Sequence, residues 1–279
     1  RRWCHNRPYV LDTMSSIMMF WRVAIHALLF LGAGSVNHAT HTFDMRRMGG
    51  LREFMPVTYW TFVIGALSLA GVFPLAGFWS KDEILTYVWN SGGGVINQLV
   101  FWMSLTAVLM TSFYIFRALF MTFEGEFKGG AEADPDALNQ SSVHLGESPY
   151  IMIVPLVVLS VLAVTAGFLI NPIFDLVVIP AHWFTHFVGS GMVHIEYYGF
   201  NFVIAITASI VSIGGIAIAY RFYFQRHVLP EWVGSYLKPV NVLLSRKYYL
   251  DDIYEGLLIG KVFYSGIAMV LDWFDKAIV

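Results

Sequence analysis

Five long apolar runs dominate this chain, approximately Ile17–Val36, Val57–Val88, Gln98–Phe123, Tyr150–Ile170 and Gly199–Phe224. Each is long enough to cross the hydrocarbon core of a bilayer, which takes roughly 20 residues of helix. A segment in lipid must satisfy its own backbone hydrogen bonds. None of the runs has the short alternating pattern of a barrel strand, so all five are predicted to be helices. Composition agrees: 57% of the 279 residues are hydrophobic and only 13% charged, too little polar surface to coat a water-exposed particle of this size. The expected fold class is all-α, a polytopic membrane helix bundle of about five transmembrane helices, one of them broken, followed by a lateral amphipathic helix.

Several classes of function are excluded. A net charge of −2 with no basic block leaves no electrostatic footprint for nucleic acid. The single cysteine, Cys4, rules out a disulfide framework, a cysteine-ligated zinc site and an iron–sulfur cluster held by this chain alone. Gly92-Gly93-Gly94 lacks a following Lys-Ser/Thr and is not a phosphate loop, and there is no nucleophile elbow. No cofactor is therefore expected on this chain, and electron transfer in any redox assembly falls to other subunits.

Lysine and arginine give the orientation. Arg46, Arg47 and Arg52 follow the first helix, and Arg221, Arg226, Lys238, Arg246 and Lys247 follow the fifth. The loops after the second and fourth carry no base. The acidic stretch from Glu124 to Glu147 has only Lys128. Odd-numbered helices thus end on the cytoplasmic or matrix side. Arg1, Arg2 and Arg7 break the pattern, and residues 1–23 are set apart as an atypical segment, a fragment or frame artefact. Residues 24–224 form the transmembrane bundle, 225–249 a cytoplasmic-side linker, and 250–279 the start of the lateral helix. There, Asp251, Glu255, Lys261, Ser265, Asp272 and Lys276 share one side at about 100° per residue, and apolar residues fill the rest. No signal-peptide cleavage site follows the first run.

The second run is too long for one straight span. Pro74 and Gly77 interrupt it, and Ser80-Lys81-Asp82-Glu83 predicts a capping box that opens a fresh helix. Lys81 then lies just after a break, facing the positive end of the new helix's dipole. Ionisable groups inside a membrane are costly and by default mark an ion or proton path, with Asp82 and Glu83 beside this one to exchange a proton. A lysine snorkelling to the far surface is the alternative, open on the residues alone. His26, in the middle of the first helix, is either a packed hydrogen-bonding residue or a relay. His38 and His41 read as an interfacial pair, and His182 and His186 as headgroup-level anchors.

From His26 onward the residues are similar to a known family. The matching stretches are Ala27-Leu-Leu-Phe-Leu-Gly-Ala-Gly-Ser-Val36 with His38 and His41, Asp44-Met-Arg-Arg-Met-Gly-Gly-Leu51 and Gly77-Phe-Trp-Ser-Lys-Asp-Glu-Ile84. They continue with Thr111-Ser-Phe-Tyr-Ile-Phe-Arg117 and Lys247-Tyr-Tyr-Leu-Asp-Asp-Ile-Tyr254. Together they resemble the C-terminal part of the largest antiporter-like membrane subunit of respiratory complex I, subunit L in bacteria and chain 5 in mitochondria. The resemblance implies that Lys81 is the buried lysine of a discontinuous helix, joining a central hydrophilic axis to an outlet half-channel with Asp82 adjacent. It assigns proton translocation to Lys81, Asp82, His26, Glu83 and His38. It also implies that Leu250–Val279 begins a lateral helix running beside neighbouring antiporter-like subunits.

Two departures stand out. The family has a lysine at the place of His26 and a histidine four residues earlier, where this chain has Arg22, a residue that cannot release its proton. Roughly the first ten helices of the family pattern are not in the sequence. The implied function is a proton-translocating subunit of NADH:quinone oxidoreductase, with NADH, FMN, iron–sulfur clusters and quinone on partner subunits. The alternatives are the large subunit of a multisubunit sodium/proton antiporter and a membrane subunit of a hydrogenase or formate-linked complex. Expected partners are other membrane-arm subunits and the bilayer, in a bacterial plasma membrane or, alternatively, the mitochondrial inner membrane.

Overall fold

In an apolar chain the helix boundaries fall where backbone groups find partners other than the next turn. The computed structural model describes residues 7–90, 94–133, 143–170, 201–225, 242, 246, 249–250, 254–255 and 268–278. The chain forms two units, residues 1–226 and 227–279. In the first lie α1 (Arg7–Thr40), α2 (Pro56–Ala70), α3 (Ala76–Asn90), α4 (Val95–Phe123), α5 (Tyr150–Ile170) and α6 (Phe202–Ala219), the last running into a π-helical turn, Tyr220–Phe224. No strand occurs among the described residues. The chain is an all-α, multi-pass membrane bundle. Residues Val23–Thr40 of α1, all of α4, and α6 with its π turn are each long and apolar enough to cross a membrane alone. α1 passes through position 23 as one continuous helix.

The second apolar run divides as expected, but not where expected. α2 ends at Ala70, Gly71 adopts φ +80°, and α3 begins at Ala76. Ser80 therefore caps nothing: it lies inside α3 and its Oγ donates to the Gly77 carbonyl at 3.2 Å. The physical reason is that α3 already has acceptors for its first donors. The Gly77 N–H donates to Ser68 Oγ at 3.3 Å and the Phe78 N–H to the Leu75 carbonyl at 3.0 Å. With those made, a Ser-x-x-Glu pattern one turn later has no free N–H to serve.

α1 buries Ile25, Leu29 and Val36 against Tyr59, Phe62 and Ala66 of α2, and Leu28 against Leu156 and Ala163 of α5. Small residues let backbones approach where side chains would keep them apart. A Cβ at Gly77 would collide with the Ser68 carbonyl of α2, and one at Gly215 of α6 with Ser112 Oγ of α4. α3 touches α1, α2, α4, α5 and α6, so the half-helix that carries Lys81 is the central one.

On the basic-loop side, Asp44 accepts from the Arg46 backbone N–H at 2.9 Å and pairs with its guanidinium. Arg52 pairs with Glu124 at 3.3 Å and lies over the Tyr59 ring, which joins the α1–α2 loop and the end of α4 to the start of α2. In the second unit, α7 (Met269–Ile278) carries an Asp272–Lys276 pair at 2.7 Å and exposes Leu271, Trp273 and Phe274. The rest of the lateral segment, most of the 225–249 linker, and His182 and His186 lie outside the described residues.

Candidate functional site

A helix that stops inside a membrane leaves four carbonyls without intrahelical donors, each costing several kcal/mol if nothing replaces them. At the end of α2 all four have partners. The Leu67 carbonyl accepts from the N–H of Gly71 and of Val72, both at 3.1 Å, and the Ser68 carbonyl from the Gly71 N–H at 3.0 Å. That is a Schellman turn, and its left-handed residue is the glycine the geometry favours. The two remaining carbonyls take side chains. Lys81 Nζ donates to the Leu69 carbonyl at 2.6 Å and to the Ala70 carbonyl at 2.9 Å. Ser212 Oγ of α6 donates to the same Ala70 oxygen at 2.8 Å.

The ammonium therefore sits at the negative end of the α2 dipole, not at the positive end of a helix it opens. This polarity is the reverse of the one expected from Ser80 as a cap, because α3 begins four residues earlier, at Ala76. A cation at a helix C-terminus is stabilised by the carbonyl dipoles directed at it. Gly71 has a second role here: a Cβ on it would come within 2.7 Å of Lys81 Cδ and 3.4 Å of Nζ, so its missing side chain is the space the lysine occupies. Phe73, Phe78 and Trp79 close around the break with ring centroids 5.2 to 5.9 Å apart, and Trp79 Nε1 donates to the Pro74 carbonyl at 3.2 Å.

Asp82 follows on the inner face of α3, 4% exposed, and its Oδ1 has no hydrogen-bond partner among the described residues. Glu83 is half-buried one position on. Lys81, Asp82 and Glu83 are consecutive in α3, the first turned back onto the α2 terminus and the second buried on the inner face. His26 is placed elsewhere. It lies on the outward stripe of α1 with Val23 and Phe30, opposite the buried Ile25, Leu28 and Leu29. His38 is exposed at the α1 end, its ring 6.4 Å from that of His41. Arg22 is helical, and its side chain is outside the described residues.

Some residues of the bundle carried no signal in the sequence. Ser212, which donates at the lysine's dock, and Gly71, which leaves it room, are two. Another group sits at the start of α2. Glu147 accepts from the Val57 N–H at 2.8 Å and from Thr58 Oγ1 at 2.6 Å, so it serves as a cap supplied from a distant loop. Thr58 continues to Ser35 Oγ at 3.0 Å, and Ser35 to Ser148 Oγ at 2.6 Å, a buried chain of hydroxyls across α1 and α2. Hydroxyls with such partners are the usual way polar groups are carried inside apolar bundles.

Residues 11–111 match the family model described as NADH:quinone oxidoreductase/Mrp antiporter, TM. A protein of Paulinella chromatophora, NAD(P)H-quinone oxidoreductase subunit 5, organellar chromatophore 1, is 38% identical over 261 residues, covering 84% of this chain and 37% of its own length. NAD(P)H-quinone oxidoreductase chain 5 of Picosynechococcus sp. is 35% identical over 263 residues, with 84% and 37% covered. The F(420)H(2) dehydrogenase subunit L of Methanosarcina mazei is 33% identical over 268 residues, with 90% and 38% covered. The chain spans little more than a third of the length of these relatives.

Proposed function

We propose that this chain, whose residues 11–111 match the NADH:quinone oxidoreductase/Mrp antiporter transmembrane family model and which is 38% identical to a quinone oxidoreductase subunit 5, acts as a proton-translocating part of a quinone-reducing complex. In this reading it couples electron transfer on other subunits to proton movement through the break between α2 and α3. The observation that carries the reading is the dock of Lys81 on the Leu69 and Ala70 carbonyls inside the bundle. A charged lysine holds both carbonyls. A neutral one holds them less strongly, so the protonation of Nζ is tied to its position. A change of field along the bundle that favours one position then moves a proton between Lys81 and its neighbours, of which Asp82 is adjacent and has an oxygen open.

Partners in this reading are the other membrane-arm subunits, with the segment from Leu250 running beside the adjacent antiporter-like ones, and the membrane is a bacterial plasma membrane. NADH, flavin, iron–sulfur clusters and quinone stay on the partner subunits. His26 and His38 extend the proton path along α1, where His26 presents its ring on the outward stripe. The names of the relatives, NAD(P)H-quinone oxidoreductase subunits of Paulinella chromatophora and Picosynechococcus sp., support a redox-driven complex over a free-standing sodium/proton antiporter.

The test is Lys81→Ala in the complete subunit, within the assembled complex in sealed vesicles. Proton pumping is expected to fall sharply while donor oxidation stays measurable. Normal pumping in that variant overturns the proposal, as does sodium transport by a complex with which no quinone reductase activity purifies.

A further inference from the structure

Hydroxyls in the described membrane helices have a common habit of donating to the carbonyl four residues back. Thr106 does so to Trp102 at 2.9 Å, Thr111 to Ala107 at 2.6 Å, Thr207 to Val203 at 2.7 Å and Ser209 to Ala205 at 2.8 Å. The habit satisfies the hydroxyl where no water reaches. Thr86 departs from it. It is 3% exposed, and its Oγ1 has no partner among the described residues. The residue four positions before it is Asp82, whose Oδ1 is likewise buried and without a partner. A buried polar atom left unpaired costs free energy in any medium and more in a membrane, so two of them on one stripe of one helix need a shared explanation.

We propose that Asp82 and Thr86 together form a binding site for a single buried water, and that this water carries protons one turn along α3 between the Lys81 level and the Asn90 end. The inference rests on the proton-path reading above. The spacing admits one water: side chains at i and i+4 share a face with Cβ atoms about 5–6 Å apart, and two O–H···O bonds meeting at a water's near-tetrahedral angle join oxygens about 4.5 Å apart, within reach of oxygens one and two bonds beyond those Cβ atoms. The chemistry is complementary. A carboxyl and a hydroxyl can each donate or accept, so the bridge conducts in either direction. Two polar partners are also the minimum with which buried waters are found. In the step itself Asp82 gives its proton to the water as that water passes one of its own to Thr86 Oγ1. The threonine's proton moves to a receiving water toward Asn90, and Asp82 is recharged from Lys81. Each O–H bond broken is matched by one formed.

The experiment compares Thr86→Val, which keeps the shape and removes the hydroxyl, with Thr86→Ser, which keeps the hydroxyl. Both are made in the full subunit of the assembled complex, and protons moved per donor oxidised are measured in sealed vesicles. The valine variant is expected to pump about fivefold less, the factor to which the typical net worth of one hydrogen bond corresponds, and the serine variant to pump as the parent does. Thr86→Ala serves as a second hydroxyl-free form should valine reduce assembly, which oxidation of the donor by an artificial acceptor monitors. Parental pumping without the hydroxyl overturns the proposal, and so does an equal loss in the serine form, which would mark a packing role. Lys81→Ala separates the two levels. If it abolishes pumping while Thr86→Val does not, only the water step fails; if neither changes pumping, the proton-path reading fails with it.

Discussion

Replacing Gly71 with alanine tests whether the lysine's dock is held by the shape of the α2 terminus. Two costs add. A side chain at φ +80° pays the left-handed penalty, about 1–2 kcal/mol. The new Cβ would also lie 2.7 Å from Lys81 Cδ, where carbon atoms at rest keep about 3.5–4.0 Å. The lysine must therefore retreat by about 1 Å, more than its 2.6 and 2.9 Å bonds can both absorb. Losing one hydrogen bond from a charged group costs about 1.5–3 kcal/mol. Gly71→Ala should thus cost about 2.5–5 kcal/mol with Lys81 present and only about 1–2 kcal/mol in a Lys81→Ala background, where nothing extends past Cβ. A double-mutant cycle on the thermal stability of the assembled complex reads the difference. Proton pumping should fall in Gly71→Ala with donor oxidation retained. Equal costs in the two backgrounds would refute the reasoning, leaving Gly71 a turn residue and nothing more.

Other outcomes follow from contacts already described. Gly77→Ala places a methyl group against the Ser68 carbonyl, a backbone atom that cannot step aside, so assembled complex recovered from membranes should drop severely. Ser212→Ala removes one of two donors from the Ala70 oxygen, and a shift of about 0.5–1.5 kcal/mol in complex stability is expected, with pumping lowered far less than by Lys81→Ala. In the basic loop, hydrogen bonds from the Arg46 guanidinium and then its backbone N–H hold the Asp44 carboxyl below its ordinary value. A depressed carboxyl adds stability above its unfolded value and loses it as pH falls through the folded one. The small advantage of the parent over Arg46→Ala, followed as thermal midpoint against pH, should therefore vanish on strong acidification and persist at neutrality.

The apolar runs and the break at Pro74 were legible because they depend on local physics: length against a bilayer, and a ring that cannot continue a helix. The restart at Ala76 was not. Ser80-x-x-Glu83 has the composition of a cap, but whether a cap is needed depends on Ser68, which meets Gly77 only after folding. The polarity of the Lys81 site failed for the same reason, since its acceptors lie 11 and 12 residues back across the turn. Ser212, 142 residues from Ala70, could not be found from spacing at all. Thr86 is indistinguishable in sequence from the many threonines that bond their own helix; only its departure from that habit in the folded chain marks it. For His26 the sequence supplied a position in the span but no face, and the helical phase that turns it outward is set by the small and apolar residues packed on the other side.

The close fit of Gly77 on Ser68 constrains any mechanism built on this break. Interrupted membrane helices invite comparison with a hinge, two rods that swing about loose backbone. Here the two rods are in backbone contact immediately beside the joint, fastened by the Gly77 N–H on Ser68 Oγ and locked by the turn at Gly71. An elbow fastened on both sides resists flexing. Its moving parts are the light ones, a four-carbon lysine stem and the protons on the groups around it. In the proposed proton path, transmission along the bundle is then closer to a row of electrical relays in a stiff casing than to a piston, with coupling over distance set by the field each relay projects on the next.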